Sequence, residues 1–440
     1  MNLACLQNSI EVGWNMLEDT LLPFHMVRFV PYMGVIWTIH EASKLGFYNG
    51  HPEWCNIGQG QPEVGDLPDA PDRISSVTLK IPEDSAYGPV GGTNEVRAAV
   101  ADWVNRTYRR GMRQYTAENI SFASGGRLAL TRLFSIFRDG SRIAYKNPDY
   151  TAYEDYLYPL RHSCELVELR AEEENGFVVT EKEFSEFITQ NRPDAYIFSN
   201  PCNPTGQVIR EKALSEYVDI CRKEKCLLAC DEFYSAYAYE KDGSPSVEPV
   251  SVLPFIEDIE KDPVLAFDGL TKGFRYPGWR AGWVTGPKYL IEMINRAASA
   301  VDGGPSTIVQ RAAIEELSPG RAEAELLATR KEFAYKRQLM IEGLKFVDIK
   351  VPSPAPLGTF YVWASLENLP GKLKNADYFF YECLKKKVIT VPGHFFDVRP
   401  YRSRPTNEPF CHWVRFSYGP NRRTVATALS RIGEVIREHL

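Results

Sequence analysis

Short apolar runs alternate with helix-period segments through the middle of the chain. Ile120–Ala123, Arg142–Tyr145, Cys164–Leu169, Ala195–Phe198, Leu227–Cys230, Val264–Phe267 and Ala281–Thr285 read as buried strands. Arg127–Phe137 puts Leu130, Leu133, Phe134 and Phe137 on one helical face, with Gly140 as its stop. The helix after Gly206 does the same with Leu214, Tyr217, Val218 and Cys221. Ahead of these, Thr93 caps a helix over Asn94–Arg109 whose Val96, Val100, Trp103 and Val104 face inward. This alternation predicts an α/β fold, a mostly parallel central sheet with helices on both faces.

The ends of the chain differ in style. Residues 1–55 are rich in aromatics and read as one or two helices with a break at Pro31. After Gly304, Ser306–Leu317 and Arg321–Phe346 read as helices, the second long enough to cross between domains. A stiff proline link at Pro352–Pro356 leads to a strand (Thr359–Ala364), a helix (Asn375–Lys386), a strand (His412–Ser417) and a helix (Arg423–His439). That pattern predicts a smaller α+β domain. The expected division is residues 1–76, an N-terminal segment joining the small domain; 77–305, the large domain; and 306–440, the interdomain helix and small domain.

Composition narrows the function. A chain of 440 residues holds two or three domains. A net charge of −6 argues against a nucleic-acid partner. No run approaches the ~20 apolar residues of a membrane span, and the N-terminus lacks the order of a signal peptide, so a cytoplasmic location is expected. The nine cysteines form no CxxC pair, and the cluster Cys221, Cys226 and Cys230 has no histidine beside it, so no metal site is expected.

Candidate chemistry gathers at strand ends, where α/β proteins place it. Lys272 lies on a loop just past an apolar run; an amine kept partly neutral there can form a Schiff base. Arg280 offers a fork for a phosphate. An ion pair at the surface would explain the same two residues. Asp231 directly follows a strand and can hold a metal, a cationic ring nitrogen or a following N–H. Asn203 sits in NPCNPTG, where two Asn-Pro pairs force an extended, rigid loop. The Gly125-Gly126 turn feeds a helix start, a ready anion site. Tyr150 follows a strand, where its ring could cover a flat cofactor. Tyr87 and the Gly58/Gly60 loop are ligand contacts or ordinary loop positions.

Together these pieces resemble the pyridoxal-phosphate (PLP)-dependent aminotransferases of fold type I, class I/II, across about residues 56–418. NPCNPTG (200–206), DEFY (231–234), TKGFRYPGWRAGW (271–283) and WVRFSYG near the C-terminus occur in the family's order and spacing. IGQGQP, AYGPVGGTNEVR, GGRLAL and PLGTFYVW are weaker matches. The resemblance implies that an L-amino acid gives its nitrogen to a 2-oxo acid. Lys272 is then the Schiff-base lysine and general base, and Asp231 the partner of the pyridine nitrogen. Asn203 and Tyr234 donate to the ring hydroxyl, and Tyr150 stacks on the ring. Gly126, Arg127, Thr271 and Arg280 hold the phosphate, and Tyr87 reaches the neighbouring subunit's cofactor in a homodimer with shared sites. Arg415 and Gly60 take the substrate carboxylate. The same fold also supports other PLP chemistry, namely β-elimination, decarboxylation, cyclisation or oxidation. A ligand-sensing domain is disfavoured because no basic winged-helix segment precedes it.

The chain departs from the family pattern in three places. Gly269 stands where the family usually has serine or threonine, which removes one phosphate hydroxyl. Arg127 replaces a smaller polar residue and either compensates by charge or points away. Val398–Pro409, with three arginines, is a solvated loop or reaches the substrate mouth.

Overall fold

The computed structural model describes residues 30–32, 34–79, 81–400 and 409–440. The helices expected before residue 30, and residues 401–408 of the arginine-rich loop, lie outside the described residues. Beyond Pro31 the first helix is α1 (Gly34–Ser43), and the first strand is β1 (Cys55–Asn56). Helix α2 (Asn94–Tyr108) starts where expected, and the Thr93 hydroxyl accepts from the Val96 N–H at 3.4 Å.

Seven strands form the central sheet: β2 (Ile120–Ala123), β3 (Arg142–Asn147), β4 (Glu165–Arg170), β5 (Ala195–Ser199), β6 (Leu227–Asp231), β7 (Val264–Gly269) and β8 (Gly282–Thr285). Their order is β2-β8-β7-β6-β5-β3-β4, parallel except for β8. Both faces are covered, which is why the strands read as continuous apolar runs. Along β7, Leu265 and Phe267 pack in one core with Leu130, Leu133 and Ile291, and Val264 and Ala266 pack in the other with Val100 and Val104. The register sets Asp231 beside both Ser199 and Phe267, so β5, β6 and β7 deliver their loops to one edge. The reversed strand β8 brings Gly282 to that edge, opposite Gly269 and Ala123.

Helix α3 (Gly126–Phe134) is shorter than expected. The Ser135 hydroxyl donates to the Arg132 carbonyl at 2.8 Å, and the chain turns there rather than at Gly140. Three helices are additional to the expected set. They are α4 (Ala152–Leu160), α5 (Glu181–Asn191) and, after α6 (Glu211–Glu224), α7 (Lys288–Val301). Helix α5 carries a reciprocal cap: the Glu183 N–H donates to the Thr180 hydroxyl, and the Thr180 N–H to the Glu183 carboxylate.

Helix α8 (Thr307–Glu316) leads to α9 (Arg321–Phe346), the long crossing helix. The last third holds β9 (Tyr361–Ser365), α10 (Ala376–Lys385), β10 (Val388–Ile389), β11 (Val391–Pro392), β12 (Trp413–Ser417) and α11 (Arg422–Arg437). β11, β12 and β9 form a separate antiparallel sheet, and β1 pairs with β10. In that sheet Arg415 lies opposite Trp363 and Val391. Among the described residues no helix is long and apolar enough to cross a membrane.

Candidate active site

Lys272 sits just past the end of β7, half-buried, and its Nζ donates to the Gly60 carbonyl. Burial, and after it the charges of Arg415, Arg280 and Arg127, pull the Lys272 ammonium down to about 7 against the opposing pull of Asp231. A lysine in that range is half neutral near pH 7 and is therefore a nucleophile and a base.

Asp231 is the last residue of β6 and is buried. Its carboxylate accepts from the Tyr153 hydroxyl at 3.2 Å and the Phe233 N–H at 3.3 Å. Burial pushes its carboxyl up to about 7, and nearby Asp149 adds to the rise. A cation brought to this carboxyl would favour its ionised form.

Asn203 and Arg415 meet at the boundary between the two sheets. The Arg415 Nη1 donates to the Asn203 Oδ1 at 2.9 Å, and its Nη2 to the Gly58 carbonyl at 2.6 Å. The guanidinium lies over the Tyr361 ring, 4.1 Å from its centroid. Arg415 is 2 % exposed, yet its Nε has no partner. A buried fork with, among the described residues, a free donor and no carboxylate bound to it suits a carboxylate ligand. The Tyr234 hydroxyl lies 2.6 Å from that of Tyr361.

The opposite side of the site is built from glycines and cations. Gly125 has φ +92°, and Gly126 opens α3. A Cβ on Gly125 would lie 2.5 Å from the Arg280 Nη2, so the guanidinium rests directly against the turn. A Cβ on Gly126 would lie 2.4 Å from the Phe233 ring. The Thr271 hydroxyl is buried and has no partner among the described residues. Arg127 donates from Nε to the Tyr150 hydroxyl at 3.1 Å. Helix N–H groups, an orphan hydroxyl and guanidinia form a cradle for an anion.

Most of the residues singled out from sequence therefore converge: Lys272, Asp231, Asn203, Tyr234, Arg415 and Gly60 on one side, and Gly126, Arg127, Tyr150, Thr271 and Arg280 on the other. Tyr87 does not join them; it is fully exposed. Sequence reasoning missed Tyr361, Tyr153 and Asp149. Tyr361 lies within the PLGTFYVW match, which was its available signal. Asp149 is fully buried; it accepts from the Ser199 hydroxyl and from the Tyr150 N–H, the latter at 2.7 Å. It thereby ties the Tyr150 loop to the end of β5.

The family pattern for aminotransferases of class I and II matches residues 52–432. The chain belongs to that family. It is 28% identical over 353 residues to the aspartate/prephenate aminotransferase of Thermus thermophilus, covering 80% of this chain and 83% of that one. Identity to the Pyrococcus abyssi aspartate aminotransferase is 25% over 392 residues, covering 88% and 93%. The solved structure of Thermus thermophilus aspartate aminotransferase with maleate shares the fold at TM-score 0.74 and 23% identity, covering 93% of this chain and 100% of that one. Membership of the class I and II aminotransferases makes this an enzyme that transfers amino groups and accounts for the mixed sheet with its smaller companion.

Proposed function

We propose that the enzyme is a PLP-dependent aminotransferase that moves the amino group of an L-amino acid to a 2-oxo acid, with Lys272 as the residue that joins the cofactor. The observation that carries this reading is the Lys272 amine, drawn toward neutrality at the end of β7, on the same sheet edge as the buried carboxyl of Asp231.

The donor set fits PLP. Thr271 with its orphan hydroxyl, the Gly126 and Arg127 N–H groups and Arg280 would hold the phosphate. Asp231 would hold the pyridine nitrogen, Asn203 and Tyr234 the ring hydroxyl, and Tyr150 the ring face. PLP, when bound, supplies a reactive aldehyde and a ring that accepts electrons from the substrate. Arg415 orients the substrate by its α-carboxylate, and the Gly58–Gly60 segment lies over that fork and over Lys272. The Lys272 Nζ, once free, would take the proton from the substrate Cα and pass it to the cofactor C4′ carbon that receives the nitrogen, and would run the same transfer backwards with the 2-oxo acid. Tyr361 steadies both Tyr234 and Arg415.

The relatives' names span aspartate, prephenate, LL-diaminopimelate and aromatic amino acids. Each carries a carboxylate beside its amino- or oxo-bearing carbon, the group that Arg415 would bind. Tyr87, fully exposed, is assigned to the partner's cofactor in a homodimer. We further propose the domain division 1–76, 77–305 and 306–440, supported by the pairing of β1 with β10. The free cysteines suit the reducing cytoplasm.

The test is a nitrogen-15 label on the α-amino group of a panel of L-amino acids, with a 2-oxo acid acceptor. Label in the new amino acid supports transfer. Ammonia or peroxide release that needs no acceptor would reassign the enzyme to a lyase or an oxidase.

A further inference from the structure

Gly269, where the family usually offers a hydroxyl, has no room for a side chain. A Cβ there would lie 2.5 Å from the Ala281 carbonyl oxygen, 2.7 Å from the Gly282 Cα and 2.8 Å from the Phe233 ring. The Phe233 ring also closes on Gly126 and Gly282. The phosphate cradle is thus one donor short, and the cause is steric: an aromatic ring and the β8 backbone fill the place.

Charge is in surplus at the same spot. Among the described residues the Arg280 Nη1 donates only to the Pro277 carbonyl, at 2.9 Å, and Arg127 only to the neutral Tyr150 hydroxyl, at 3.1 Å. Among the described residues no carboxylate forms an ion pair with either guanidinium, although Asp155 acts on Arg127 from further away. The charge of Arg127 reaches both Arg280 and Lys272. Two unneutralised guanidinia beside a helix start, with its partial positive charge, match a phosphate monoester of about −2. The buried, unpartnered Thr271 hydroxyl is the independent sign that a ligand belongs there.

We infer that the Arg127 side chain is a second charged phosphate ligand, aimed by the Tyr150 hydroxyl, which replaces the hydroxyl that Gly269 cannot supply. This rests on the PLP reading above. Arg127 then neutralises the phosphate beside Arg280, and the Tyr150 hydroxyl holds its guanidinium in that direction.

The test titrates cofactor-free enzyme with inorganic phosphate, PLP and phosphate-free pyridoxal, following tryptophan fluorescence. Wild type is compared with R127Q and R127K, each checked for an unchanged melting temperature. Loss of one charge-assisted contact in R127Q should weaken phosphate and PLP by about 10–100-fold. Pyridoxal should stay within about twofold, because a ligand without the charge does not use the contact. R127K should recover part of the loss. Wild-type affinity for PLP in R127Q would overturn the inference and show Arg127 pointing away. An equal loss for pyridoxal would also overturn it, placing Arg127's effect on the ring through Tyr150. If wild type binds none of the three, the PLP reading itself fails.

Discussion

The two sides of the site are built differently. On one side Lys272 and Asp231 stand at strand ends, Asn203 on the loop after β5 and Arg415 in the middle of β12, and protein groups already hold each of them: Gly60, Tyr153, Arg415 and Gly58 respectively. On the other side Arg127 and Arg280 are exposed and hold one neutral oxygen apiece. The first side is organised by the fold, and its pKa shifts come from burial. The second is a pattern of positive charge that an anion completes. The reacting groups need fixed orientation before the substrate arrives, whereas a phosphate handle needs only strong, complementary charge.

The sharpest way to break this comparison is Lys272→Ala. It should lower amino transfer by about 10,000-fold or more, measured as turnover with added PLP. Full activity in that variant would remove the organised side from the chemistry. Arg415→Ala comes next. We expect roughly a 100-fold or greater fall in kcat/KM, mostly in KM, because a fully desolvated carboxylate contact is lost. A variant with an unchanged KM would show that the substrate docks elsewhere.

The pH dependence of aldehyde capture links the two sides. The Lys272 ammonium is lowered from its ordinary range to about 7, and only the neutral amine attacks. Capture of pyridoxal by cofactor-free enzyme should therefore rise with pH through about 7. Removing Arg415 or Arg280 takes away a positive neighbour and should move that midpoint upward. A midpoint in the ordinary lysine range for wild type would show that burial does not tune the amine. Because the folded value lies below the unfolded one, this lysine makes stability rise with pH above about 7, and its contribution is lost below. The smallest expected effect is that of Gly269→Ser. Forcing a side chain against the β8 backbone should cost about 1–3 kcal/mol of stability, read as a lower melting temperature, with no gain in phosphate affinity.

The strands were legible because burial on both sheet faces leaves unbroken apolar runs, and Asp231 and Lys272 because one directly follows such a run and the other lies on the loop just past one. Helix α4 was not, since Pro159 and its polar residues blur the helical period. Helix α5 did carry a local signal, the Thr180 and Glu183 cap, which the strand–helix reading passed over. Contacts between distant residues leave no local period. Tyr234 meets Tyr361, and the buried Lys336 reaches Glu63 at 2.7 Å beside the Gly60 loop, only because the chain folds back across α9. Gly269 was visible as a departure, but its reason, the Phe233 ring and the β8 backbone, exists only in three dimensions.

The central claim is that one amine, that of Lys272, carries the cofactor. Borohydride reduction of PLP-loaded enzyme, followed by peptide mass spectrometry, tests it directly. The account predicts a single reduced pyridoxyl group on the peptide containing Lys272, absent from Lys272→Ala. A pyridoxyl group on a different lysine, or none at all in an enzyme that still transfers nitrogen, would contradict it.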